Sequence, residues 1–504
     1  MTGKDPIRKQ IRGSSLLLAG RVFAIGINFL TQVLIVRYLS QTDYGAFAYA
    51  LAIVAFFQHG SSLGLDIGIP RFVPIFHETK DYPRLLGTVA LGLVTATLAS
   101  VVIVFTTLLS PALISKLVGD GHNATMLLLM VMIFVVPMEA LDDVLMGSFA
   151  SFHRSRTIFT RRHLLGPLAK LLAIALTMAL KGSAFFLACS YVLGSAVGVA
   201  VYFPVLVSLL RNEGILARGW MKSLRIPAAE LFRFSLPLLA TDMLVGLAPL
   251  VSVMVLGYYY GLHEVALFRA VVPFAAVNRV VRVTFETLYA PTAARLYAAC
   301  DFTRMKEQYW RTAAWVAVLT LPVFAATFSV ARPMLVILYG PAYESAWPVL
   351  ALLSVAQYSR CALGYSSLTL QILGKVRLVV LLDILGSVLA IAANLALVPR
   401  FGIIGAALGT TSAGVLMVVV QQIGLARTSH ISFFDKRYRS LYLLIAVSAS
   451  LLFSLQWILT ASYVLLPLAA GSITLVLLAA RRTLNVAETF PELMKFRLAR
   501  AVFA

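Results

Sequence analysis

A charged side chain at the centre of a membrane-crossing helix costs about 2.5 to 3.5 kcal/mol, so charges inside long apolar runs are the first residues to read for chemistry. In this sequence they are Arg21, Asp242, Arg269 and Arg279, followed by Arg360 and Asp383. Arginine offers a planar fork of donors to phosphate oxygens and does not lose its charge. Arg21, Arg269, Arg279 and Arg360 therefore suit an anionic headgroup such as a pyrophosphate. Asp242 and Asp383 suit either a coupling cation or a pairing between the halves of the chain; a salt bridge between Arg21 and Asp242 is the simplest such pairing. Glu139, Asp142 and Asp143 gather carboxylates in one apolar run. Such a cluster can hold a divalent or coupling cation, but no second acidic motif completes a diphosphate site. Together with Asp66 they read as a gate or a helix-packing group before catalysis. Arg282 and Glu286, four apart on one helix, read as a self-neutralising pair, and Lys170 is a further cation set inside a run.

Other chemistry is missing from the pattern. Cys189, Cys300 and Cys361 are scattered, without metal or disulfide spacing. The histidines are isolated, with no HExxH, and no GxxxxGK[ST] loop occurs. The expectation is a protein without metal, without cofactor and without enzymatic activity.

The elements that must hold these residues are membrane spans. The chain has 504 residues, 60% hydrophobic and 12% charged, where soluble domains carry about 25% charged residues. About fourteen apolar runs of roughly 20 residues are long enough to cross a bilayer. The formal charge of +21 would point to nucleic acid in a soluble protein, but the arginines and lysines lie in alternate connections. Arg8, Lys9 and Arg12, then Arg71, Lys80 and Arg84, then Arg154, Arg156, Arg161 and Arg162 begin that series. Its periodicity is the positive-inside pattern, so both termini are expected in the cytoplasm and no nucleic-acid partner is needed. The basic start followed by a run too long for a signal-peptide core reads as a retained first helix.

The runs repeat. A constant offset that carries Arg12 onto Arg233 also carries Ser14 onto Ser235, Tyr38 onto Tyr259, Asp43 onto Glu264, Phe47 onto Phe268 and Pro70 onto Pro291. Under it Arg21 falls on Asp242. Each repeat unit reads as a helix, an aromatic and acidic corner, and a returning helix that ends at proline. Duplicated halves around a central site are a common transporter plan. The expected divisions are a cytoplasmic segment over residues 1–13, a first lobe over 14–210, a linker over 211–233, a second lobe over 234–425, two added spans over 426–480 and a tail over 481–504. Glycine stripes at Gly60, Gly64 and Gly68, and at Gly402, Gly405 and Gly409, allow close helix packing.

Several stretches carry a family resemblance: LIVRYLSQTDYGAFAYALAI, SLGLDIGIPRFVP, FSLPLLATDMLVGLAPLVSVMVLGYYYGLHEVALFRA, YGPAYESAWPVLALLS and ANLALVPRFGIIGAALGTTSAG. In these the chain resembles the multidrug/oligosaccharidyl-lipid/polysaccharide exporter superfamily, and within it the Wzx-type polysaccharide flippases. The resemblance implies an all-α fold of two pseudo-symmetric six-helix lobes plus two C-terminal helices, in a bacterial cytoplasmic (inner) membrane. It implies translocation of undecaprenyl-diphosphate-linked oligosaccharides for O-antigen, capsule or exopolysaccharide assembly, by alternating access through a central cationic cavity. A polysaccharide polymerase and a chain-length regulator are the partners it implies. Lipid-II flippases use arginines on the first and eighth helices, which Arg21 and Arg269 match in helix and approximate depth. The second span carries Asp66 where a full arginine triad would need a cation, which favours a polysaccharide unit over a peptidoglycan precursor. Two other readings stand beside this one: a cation-coupled small-molecule or drug antiporter of the same superfamily, with Asp242 as coupling site, and a membrane glycan polymerase, against which the short outward connections argue.

Overall fold

The computed structural model describes residues 6–110, 123–216, 224–429, 431–458 and 462–484. Residues 1–5, Lys116, Arg218 and Lys222 in the connections, and the tail from residue 485 lie outside the described residues. The described part of the expected N-terminal segment is already helical from Pro6. Packing divides the chain into two compact units, Met1–Ala266 and Leu267–Ala504. The seventh apolar run, which the repeat assigns to the second half, thus packs within the first unit.

The first unit is built from α1 (Pro6–Tyr38), α2 (Gln41–Ser61), α3 (Leu65–Glu78), α4 (Tyr82–Leu109), α5 (Asn123–Met132), α6 (Val135–Ser151), α7 (Ser155–Ile158), a π-helical segment Phe159–Leu165, α8 (Gly166–Ala179), α9 (Ala184–Asn212) and α10 (Ala228–Tyr260). The acidic corner of the first repeat is a helix cap. Ser40 Oγ accepts from the Asp43 amide at 3.1 Å and donates to Asp43 Oδ2 at 2.7 Å, satisfying the start of α2. The second run does not end at proline as expected. It breaks at Ser62–Gly64, where Gly64 takes φ 77°, and restarts as α3, which continues through Pro70 and Pro74 to Glu78. The fourth run breaks at Ile133–Phe134, one helical turn before Pro137, whose missing N–H cannot bond the Ile133 carbonyl. Leu65, Ile69, Phe72, Val144, Phe149 and Tyr202 form the core between these helices.

After α11 (Leu262–Ala276), the second unit runs through α12 (Arg279–Ala298), α13 (Phe302–Phe324), a π-helical segment Ala325–Ser329, α14 (Ala331–Tyr339), a 3-10 turn Pro341–Ala346, α15 (Trp347–Ala362), α16 (Ser366–Ile372), α17 (Val376–Thr428), a 3-10 turn Lys436–Tyr438, α18 (Arg439–Ile458) and α19 (Ser462–Leu484). Its core is aromatic. Tyr289 stacks on Tyr365 with centroids 4.8 Å apart, and Trp310 meets Tyr309 edge-on at 5.4 Å.

Among the described residues, 11 helices are long and apolar enough to cross a membrane. The difference from the expected fourteen has identifiable causes. The eighth and tenth runs are interrupted, into α11 and α12 and into α15 and α16, so neither forms one long helix. The eleventh and twelfth runs are counted together as α17, 53 residues with a non-helical Gly402 at φ 55°, ψ −133°. Gly402 turns the chain back on itself: Gly424 faces Leu378 and Leu382, and Gly409 faces Asn394. The glycine stripe at 402, 405 and 409 is the near side of this hairpin. The other stripe serves a different contact. Gly60, Gly64 and Gly68 lie against Met243, Leu239 and Ser235 of α10, with a Cβ on Gly68 only 2.6 Å from Ser235 Oγ.

A Cβ on Gly405 would run into the Leu397 carbonyl oxygen, a backbone atom with no freedom to yield, whereas one on Gly471 in α19 would meet nothing. We expect Gly405→Ala to destabilise the detergent-solubilised protein by about 1–3 kcal/mol through overpacking. Gly471→Ala should be neutral or slightly stabilising. Thermal unfolding of the two variants side by side checks this.

Candidate functional site

The second unit gathers its cations at a helix break. Pro273 has no N–H, and α11 ends at Ala276; Val277 and Asn278 then link it to α12. The groups freed by the break are taken up by side chains. Asn278 Nδ2 donates to the Ala275 carbonyl and to Thr327 Oγ1, both at 3.0 Å, and Cys361 Sγ donates to the Asn278 carbonyl at 3.4 Å. Satisfaction of this kind is what permits a break at membrane depth. The break starts a new helix at Arg279, with Arg282 in its first turn, so the positive end of the α12 dipole coincides with both arginines.

Arg360, from the last turn of α15, lies within electrostatic reach of Arg282 and Arg279, and Asp383 of α17 is the carboxylate that faces it. Arg360 is exposed. Arg282 does not pair with Glu286: no ion pair joins them among the described residues. Its guanidinium lies 5.2 Å over the Tyr365 ring, and its buried Nε–H has no partner among the described residues. Tyr365 donates its hydroxyl to the Arg282 carbonyl at 2.7 Å, so the ring that carries the cation is fixed by the same residue. Asp383 accepts from Gln421 Nε2 at 3.2 Å across the α17 hairpin. Glu286 is within electrostatic reach of Tyr365, so the arginines share this group with two carboxylates, Asp383 and Glu286, and the Arg282 Nε–H is the donor suited to an anion.

The first unit holds a second polar site, of mixed charge. A cavity of about 150 Å³ is lined by Glu139, Asp142, Asp143, Arg161, Arg162 and Lys170, with Asn28, Ser190, Tyr191 and Ser195 among the other lining residues. Arg161 and Arg162, which the charge pattern counts as connection residues, belong to the π-helical segment Phe159–Leu165. Single-turn π insertions shift the helix face and recur at functional sites. Here the insertion aims Arg161 Nε at Asp142 Oδ1, 2.8 Å away, and Arg162 Nη2 at Asp143 Oδ1, 3.0 Å away. The two pairs differ in setting. Arg161 and Asp142 are buried, at 9% and 10% side-chain exposure, while Arg162 and Asp143 are 56% and 30% exposed. Gly198 makes room for the inner pair, since a Cβ there would collide with the Arg161 guanidinium. Glu139 accepts from Ser195 Oγ at 3.1 Å, and Lys170 Nζ lies 5.9 Å over the Tyr191 ring.

Asp66 sits in the first turn of α3, accepts from Ser62 Oγ at 2.6 Å and is within electrostatic reach of Asp143. No group of three or more metal-ligating side chains forms among the described residues. Arg21 is exposed on α1, within electrostatic reach of His163, against which α1 packs at Gly20. Asp242 is exposed on α10. The Arg21–Asp242 bridge does not form, because α1 packs on α7, the π segment and α8, whereas α10 packs on α2 and α3. Arg269 is half-buried in α11. The structure thus brings Arg279, Arg360 and Asp383 together, and Glu139, Asp142 and Asp143 together with Asp66 nearby. Arg282 and Arg161 are the members that sequence reading assigned elsewhere. A signal for Arg282 was its place one turn after Asn278, where a helix interrupted after Pro273 would restart.

A family model described as "Polysaccharide biosynthesis protein" matches residues 11–296. The "Succinoglycan biosynthesis transport protein ExoT" of Rhizobium meliloti (strain 1021) is 24% identical over 345 residues, 66% of this chain; the match spans 63% of that relative's length, just under two thirds. Among solved structures, "Lipid II flippase MurJ, inward closed conformation" superposes with a TM-score of 0.69 at 13% identity, over 95% of this chain and 99% of that one. An inward-facing multidrug resistance MATE family transporter of the MOP superfamily gives 0.65 at 13% identity, over 80% and 95%. At these identities the likeness is one of fold.

Removing one partner of a buried pair leaves an uncompensated charge, at about 3–5 kcal/mol, whereas an exposed pair contributes about 0–1 kcal/mol. We expect Asp142→Ala to destabilise the protein by about 3–5 kcal/mol and Asp143→Ala by under about 1 kcal/mol. Double-mutant cycles with Arg161→Ala and Arg162→Ala, read by unfolding in detergent, check both values.

Proposed function

We propose, from the premise that this chain belongs to the polysaccharide biosynthesis protein family, that it is a flippase for lipid-linked glycan. Its substrate would be an undecaprenyl-diphosphate-linked oligosaccharide, carried from the cytoplasmic to the outer leaflet of a bacterial inner membrane. The observation that carries this reading is the arginine group at the α12 break. Arg279, Arg282 and Arg360 gather there with Asp383 facing Arg360, and the Arg282 Nε–H is buried without a partner among the described residues. A buried donor left unsatisfied costs about 1–3 kcal/mol, and a diphosphate oxygen would remove that penalty. Arg21 and Arg269 are proposed as further contacts with the same headgroup.

The names of the relatives point the same way, one a succinoglycan biosynthesis transport protein and one a lipid II flippase. In this mechanism the chain makes and breaks no covalent bond. The arginines hold the headgroup while the lipid tail stays in the bilayer, and alternating access carries the headgroup across. Membrane potential can act on charges that move, at about 2.3 kcal/mol per charge per 100 mV. Asp383 and Asp242 are the proposed acidic groups for cation coupling, and the carboxylates of α6 with Asp66 are proposed as a gate. A polysaccharide polymerase and a chain-length regulator would act on the exported units.

Mass spectrometry of lipid-linked glycans in a deletion strain, with leaflet probed from outside, tests the reading. Intact repeat units trapped on the cytoplasmic face are expected; a normal lipid pool with normal surface glycan overturns it. In complemented strains, Arg282→Ala and Arg360→Ala should each lower surface glycan by about 10- to 100-fold, the worth of one charge-assisted hydrogen bond. Arg360→Lys should recover part of that loss, with membrane protein levels unchanged on immunoblots.

A further inference from the structure

A separate cavity in the second unit has a chemistry unlike the arginine group. It is an open cleft of about 500 Å³, lined by Arg332, Glu344, Ser345, Trp347 and Gln456. Its size lies within the range of small-ligand sites, about 300 to 1,000 Å³. Three parts of the unit frame it: the start of α14, which delivers Arg332, the 3-10 turn Pro341–Ala346 leading into α15, which delivers Glu344, Ser345 and Trp347, and the end of α18, which delivers Gln456.

The polar groups are held from behind and left open in front. Arg332 Nε and Nη2 both contact Glu344 Oε1, at 2.5 Å. Gln456 is 2% exposed and donates Nε2 to the Phe328 carbonyl at 3.2 Å, where the π-helical segment ends. That bond fixes the amide: a flip would set two oxygens against each other. Gln456 Oε1 is left buried and without a partner among the described residues. Trp347 packs at 5.8 Å from Phe453, which stacks on Phe328 at 4.7 Å, so the indole is held by an aromatic ladder.

We infer that this cavity is a binding site for a neutral, hydroxyl-rich saccharide. Arg332 and Glu344 cancel in charge, so a phosphate or a cation gains nothing net from the site. Donors and acceptors in one neutral array match hydroxyl groups, each of which both donates and accepts. Gln456 Oε1 needs a donor, and a buried acceptor without one costs about 1–3 kcal/mol. The indole supplies an apolar face against which the C–H face of a sugar ring lies. On the topology read from the arginine distribution, the connection that carries Glu344 faces outward, where the glycan of an exported unit would emerge. For that source of sugar the inference rests on the flippase reading; the site's chemistry does not depend on it.

Saturation-transfer NMR on the purified full-length protein in nanodiscs, with a panel of neutral hexose mono- to tetrasaccharides, tests the site. Transfer to sugar C–H protons is expected for the unmodified protein. It should be lost in Trp347→Ala and in Ser345→Trp, which fills the cavity from an exposed position, and retained in Trp347→Phe and in Arg282→Ala. No transfer from any panel member, undiminished transfer in Ser345→Trp, or displacement of the sugar by inorganic pyrophosphate would overturn the inference. The two readings fail separately: normal export in the deletion strain sinks the flippase, while the binding signal is read on purified protein.

Discussion

In a bilayer the backbone has no water to turn to, and every N–H and C=O that a helix break sets free must find a partner inside the protein. The interruptions in this chain obey that constraint one carbonyl at a time. Ala275 is taken by the Asn278 amide, Asn278 by the Cys361 thiol and Phe328 by Gln456. Each repair fixes a neighbouring functional group. The Asn278 repair fixes the start of α12 and with it Arg279 and Arg282; the Gln456 repair leaves an acceptor at the rim of the neutral cavity.

The same constraint explains why the two units treat charge differently. In the first unit the carboxylates of α6 are answered by arginines from a π-helical turn, and the result is closely balanced pairs. In the second, arginines from two helices converge near Asp383, and one buried donor, the Arg282 Nε–H, has no partner among the described residues. A close pair is satisfied within the protein; a buried donor without a partner is a group that a ligand acceptor would satisfy.

Much of the fold was legible because membrane spans are set by length and apolarity alone, and the charged residues of interest stood out against that background. Arg360, Asp383 and the α6 carboxylates were readable as charges in the wrong solvent. Partnerships were not. Arg282 and Glu286 had helical spacing for a pair, but a tyrosine from α16's cap claimed the cation instead. Arg161 looked like a topogenic connection residue, because a π insertion that turns it inward leaves no mark in hydropathy. Arg21 and Asp242 matched in the repeat, yet helix packing set them on different neighbours. Sequence position gives depth in the membrane; which face a residue presents depends on tertiary packing.

The two arms of the hairpin within α17 are joined by a single non-helical glycine, with Arg400 beside the turn. Asn394, fully buried, lies where Gly409 of the other arm closes over it. An arm released alone into lipid would present that amide to hydrocarbon. The closed pair is therefore the smallest unit of this segment in which that amide is shielded from lipid.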